Sequence, residues 1–209
     1  MSERGTHGVI RLSMPDTVRR LPLDHPDLAI AEYAAVVGEL RGVAGGAADL
    51  EAIATEAVET ALREGAVLMA VVTPLDAAPA VLTGVVLDVP PGWDPDTAET
   101  LRDSMEDVGG PDVRETLLLD TGLGPAVIAQ RIPGAEQVRD RRPIALQLQA
   151  FLPAEDRLLL LTLACPSSRG WAAHQLLFGQ IVRSASGDDE PARVPVKDDD
   201  SFENHTYQL

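Results

Sequence analysis

Residues 144–165 read IALQLQAFLPAEDRLLLLTLAC, and their pattern decides the fold. Ile144, Leu146, Leu148, Ala150 and Leu152 alternate with Gln147 and Gln149, the two-residue period of a strand with one face in a core. Arg157–Cys165 is instead apolar at nearly every position, the mark of a central strand covered on both sides. Pro166 stops it. A helix from about Ser168 to Ser184 is expected next, capped by Ser168, with Trp171, His174, Phe178, Ile181 and Val182 on the face that meets the sheet.

Working back along the chain, Val127–Ile132 is a third apolar run. Ala126–Ile132 and Glu115–Thr121 flank Gly122-Leu123-Gly124-Pro125 and read as a hairpin. Val67–Thr73 and Val81–Val89 form another hairpin around Pro74–Ala80. Gly8–Met14 reads as a short strand closed by Pro15. Helices are expected from Asp27, as cap, to Arg41, and from Asp49 to Glu64, with Leu50, Ile53, Ala57, Ala61 and Leu62 on one face. Asp94 caps a further helix, with Pro95 at its first position, that runs to Val108 before Gly109-Gly110-Pro111. The fold class is therefore α+β. An antiparallel sheet of six or seven strands carries helices on both faces, in one domain over 1–186. That domain divides into a helical hairpin (27–64) and a sheet with its closing helix (66–185). The acidic segment 187–209 is expected to be disordered.

Composition narrows the function classes. The formal net charge of −16, from 33 acidic and 17 basic residues, repels phosphates and anionic lipid surfaces, so nucleic acid is not an expected partner. Aromatic residues are 3% of the chain, too few for base-stacking platforms, and leave the core to Leu, Val, Ile and Ala. Lys197 is the only lysine against abundant Arg, Ala, Val and Gly, the bias of a GC-rich, actinobacterial genome. The sole cysteine, Cys165, allows no internal disulfide. The start is polar, and the longest apolar runs fall far short of a membrane span, so a cytoplasmic protein without membrane insertion is expected.

The order of strand, hairpin around Thr-Gly-Leu-Gly-Pro-Ala-Val (121–127), polar loop, two long strands and closing helix resembles the PsbP-like fold. So does Ala-Phe-Leu-Pro-Ala-Glu-Asp-Arg-Leu-Leu-Leu-Leu-Thr-Leu-Ala-Cys-Pro-Ser (150–167), leading to Trp171 and Phe-Gly-Gln-Ile-Val-Arg-Ser (178–184). This is the fold of a photosystem extrinsic subunit, of small bacterial lipoproteins and of secretion-effector chaperones. The resemblance covers about 80–185; the helical hairpin at 27–64 departs from the family's short N-terminal entry. It implies a non-enzymatic protein that binds, stabilises or chaperones a partner, in a secretion-associated setting. No functional residue of the family can be placed on this chain.

Reactive side chains point the same way. His174, on the apolar face of a helix, reads as a core histidine bonded to a backbone carbonyl. Cys165 reads as a small buried hydrophobe. Gly122 and Gly124 lack the third glycine and following helix of a dinucleotide loop. Asp198-Asp199-Asp200 lacks spaced oxygen ligands for a cation. No catalytic, cofactor-binding or metal-binding set emerges, and no cofactor is expected. Two tracts could meet a protein partner: the 27–64 hairpin, with its acidic outer face, and the C-terminal patch of Phe202, Tyr207 and Leu209. A homo-oligomer is a further expectation. The alternative is a small-ligand or enzymatic module, with a pocket between the sheet and the N-terminal helices.

Overall fold

A computed structural model describes residues 9–41, 48–88, 93–108, 112–132, 145–154, 157–187 and 202–208. Its elements in chain order are β1 (Val9–Pro15), β2 (Val18–Arg20), α1 (Pro26–Arg41), α2 (Ala48–Arg63), β3 (Ala66–Val72) and β4 (Ala80–Asp88). Then come α3 (Pro95–Val108), β5 (Val113–Thr121), β6 (Gly124–Arg131), β7 (Leu146–Ala154), β8 (Arg157–Cys165), α4 (Trp171–Arg183) and β9 (Phe202–Gln208). Seven strands make one antiparallel sheet in the order β2-β3-β4-β8-β7-β6-β5, in which two meanders are joined where β4 pairs with β8. The doubly apolar strand β8 is thus the central one, as its composition requires.

Strand alternation sorts the side chains into two layers. Leu82, Leu163 and Leu148 are aligned across β4, β8 and β7. They share a core with Leu159, Leu161 and Cys165, and with Phe178, Ile181 and Val182 of α4. On the opposite face, Met69 and Val71 of β3 pack against Ala29 and Val36 of α1 and Val58 and Ala61 of α2. The Thr116 hydroxyl bonds Glu106, which sets α3 on this second face at the β5–β6 end. The second face of β8 is covered only at its flanks. Leu160, Thr162 and Ala164 are half-buried between the α1–α2 hairpin and α3, which is less cover than the sequence reading expects.

Local chemistry sets the helix ends. Asp94 caps α3 by accepting from the Thr97 backbone N–H at 2.7 Å and its hydroxyl at 2.6 Å, bonds that hold its carboxyl below the usual range. Trp93 donates from Nε1 to the Pro125 carbonyl at 2.9 Å and ties the start of α3 to the β5–β6 turn. Asp27 lies in the first turn of α1 and is not its cap; the Ala29 N–H already bonds His25 O. Ser168 does not cap α4 either. The helix starts at Trp171 behind Gly170, whose φ of +73° and close approach to Ala77 (2.5 Å from an added Cβ to Cα) exclude any side chain.

Two strands escaped the sequence reading. β2 is a three-residue edge paired with β3. β9, from the segment expected to be disordered, pairs antiparallel with β1 from Val9↔Gln208 to Pro15↔Phe202 in a separate two-stranded sheet. β1 offers it a fixed template. Ile10, Leu12, Ser13 and Met14 are each at most 1% exposed, and Arg11 exchanges both backbone bonds with Ser186 just beyond α4.

Candidate functional site

Where α1, α2 and the sheet meet, the packing leaves an open cleft of about 340 Å³. Tyr33 and Val37 of α1 and Ile53 of α2 form one wall. Val71, Val81, Ala164, Pro79, Ala80 and Pro166 form the other. The lining is predominantly apolar because it continues the second core past the point where the helices diverge from the strands. Ile53, expected to pack inward with Leu50 and Ala57, is 40% exposed at the mouth. Leu50, Ala54, Val58 and Ala61 are the residues of α2 that turn into the core. Glu56 stands one turn along α2 from Ile53, while Glu51 and Glu59 lie farther round the helix on its outward face.

His174 and Cys165 lie in the layer on the other side of the sheet, both fully buried. The His174 Nε2 is 2.7 Å from the Ala78 carbonyl. A carbonyl only accepts, so Nε2 carries the proton and Nδ1 is a buried lone pair with no partner among the described residues. Burial lowers the histidine's pKa from its ordinary value, against an opposing pull from the Ala78 bond, and the ring is kept neutral. The Cys165 thiol donates to Ser167 O at 3.0 Å. These two groups tie the β3–β4 loop, the end of β8 and α4 together, and neither lines the cleft.

Phe202 and Tyr207 lie on β9, opposite Pro15 and Ile10 of β1; Leu209 and Asp198-Asp199-Asp200 fall outside the described residues. The C-terminal patch and the hairpin cleft are built on different strands, β9 (paired with β1) and β3–β4. Gly122 and Leu123 form the turn expected of them, with Gly124 at φ +111° and the Thr121 hydroxyl bonded to Gly124 O at 2.7 Å. Among the described residues, no three His, Cys, Asp or Glu side chains converge as a metal site. No helix among them is long and apolar enough to cross a membrane.

No family model, curated protein or solved structure matches this chain. The cleft was half-legible in the sequence: the apolar stripe and acidic back of the second helix were visible. The strand residues Val71, Val81 and Ala164 that complete the cleft were not, since only the pairing of β3, β4 and β8 brings them together.

Proposed function

We propose that the protein is a non-catalytic, adaptor or chaperone-like module of the cytoplasm that binds a segment of a partner protein in the cleft between α1, α2 and the sheet. One observation carries this reading: an apolar cleft opens between α1, α2 and the sheet with Ile53 exposed at its mouth and Glu56 one turn further along the same helix. The occupant that fits is an amphipathic, basic segment. Its apolar side chains would fill the cleft and a Lys or Arg residue would face Glu56 beside the mouth. The −16 net charge favours encounter with a basic partner. The resemblance to PsbP-like proteins, and to their secretion-associated chaperones, supports the same class of work by analogy.

Affinity purification with the full-length protein and with Ile53→Asp tests it. A stoichiometric partner held by the first and lost with the second is expected; equal capture by both would remove the cleft from the interface. Burying one carboxylate against the apolar wall costs binding roughly tenfold or more.

A second reading has one favourable observation. The cleft's volume lies within the range of small-ligand sites. An uncharged apolar molecule of modest size would then be the occupant. It would raise the thermal midpoint of the purified protein without any protein partner, and Ile53→Asp would abolish the shift.

A further inference from the structure

The seven-stranded sheet has two edges, and they are managed differently. β2 ends it with only three residues, a length that offers little template. β5 ends it with nine, and among the described residues nothing pairs with its outer edge. Leu117 on this strand is 40% exposed and Leu176 of α4 is 61% exposed, and both line a groove of about 230 Å³ between the strand and the helix. A long strand edge flanked by exposed leucines is a pairing surface.

The sequence of β5, VRETLLLDT, identifies what pairs with it. We propose that two copies of this chain join β5 to β5, antiparallel, about a two-fold axis at Leu117. In that register Leu117 meets Leu117 of the second copy, and Thr116 meets its Leu118. Arg114 falls opposite Asp120 of the second copy, and Asp120 opposite its Arg114. Shifting the register by two residues in either direction loses both charge pairs, so this one is selected by complementarity as well as by apolar contact. Arg114 and Asp120 are both exposed.

The backbone agrees. Thr121 and Gly124 close a two-residue turn, so Leu117, Leu119 and Thr121 direct their N–H and C=O groups to β6, while Thr116 and Leu118 direct theirs outward. A centre at Leu117 makes Thr116 and Leu118 the hydrogen-bonding pair of the new ladder. A β-bulge between Val113 and Glu115 ends the regular edge, so Arg114 stands at the margin of the new ladder, from which its long side chain would reach the second copy's Asp120. The cores stay where they are, and the groove beside Leu176 is closed by the second copy's Leu117.

Sedimentation of the full-length protein at 0.15 M salt, where the repulsion between two acidic copies is screened beyond about 8 Å, tests this. The mass is expected to rise from 22.2 kDa to twice that between micromolar and submillimolar concentration. Arg114→Asp or Asp120→Arg alone weakens association roughly tenfold, because both symmetric pairs become repulsive. The double variant Arg114→Asp with Asp120→Arg restores it. In the unaltered protein, exchange of the Thr116 and Leu118 amides slows as concentration rises. A monomer throughout, a dimer indifferent to the charge changes, a folded double variant that stays weak, or concentration-independent exchange would each overturn the proposal. So would a β5 edge occupied by a strand of another protein.

Discussion

At the residue scale, His174 shows how a chemically versatile side chain serves as structure. Its ring sits on the buried face of α4, reaches across to the Ala78 carbonyl, and is held neutral by burial. A histidine whose folded-state pKa is lowered makes stability depend on pH in one direction. As pH falls below the ordinary value of 6.5, the unfolded chain takes up a proton that the folded chain resists, so stability present above that pH is lost below it. The limiting slope for one proton is about 1.4 kcal/mol per pH unit. Urea unfolding between pH 7.5 and 5.5 should therefore show a steeper loss for the natural protein than for His174→Gln, which can still donate to Ala78 O. Equal slopes would mean the ring protonates in place. Position and neighbours in sequence were enough to read His174 as a core group. Its partner, 96 residues away, was not readable.

At the scale of elements, what was legible is what is local. Alternation of Leu with Gln marked β7, doubly apolar composition marked β8, and Asp94-Pro95 marked the start of α3. Glycine and proline punctuation gave both hairpins. What was missed depends on contacts distant in sequence. Val18-Arg19-Arg20 is too short to show a period, and it is a strand only because β3 lies beside it. Phe202–Gln208 contains Glu, Asn, His and Gln, poor strand formers that read as tail, yet β1 supplies a buried, pre-placed edge. Because Arg11 and Ser13 direct their backbone bonds to Ser186 and Ser184, Ile10, Leu12 and Met14 turn theirs toward β9. A chain ending at Gly187 should keep β1 in place through those serine contacts. The amides of Ile10, Leu12 and Met14 would then exchange faster, with those of β8 unchanged. Loss of protection throughout the sheet would show instead that β9 is integral to the core.

For the whole molecule, the division of labour follows the two faces of one sheet. The face under α4 is filled by leucines, with Phe178 the one fully buried Phe, Tyr or Trp among the described residues, which suits a chain so poor in aromatics. The face under α1, α2 and α3 is covered at both ends and opens between them, and there the cleft with Ile53 at its mouth lies. The fold class could be read from alternation alone. The cleft could not, because its far wall is assembled from β3, β4 and the end of β8, drawn from three separate stretches of sequence. The proposed function rests on that assembly: the reactive groups are sealed on one side and the apolar cleft opens outward on the other. The most direct test replaces Ile53 with a photoreactive phenylalanine derivative and irradiates the full-length protein in extract of its native cell. The result expected is an adduct to one protein, mapping to a segment with apolar residues three or four apart and Lys or Arg between them. No adduct from position 53, or adducts scattered over unrelated sequences, would contradict a partner-binding cleft.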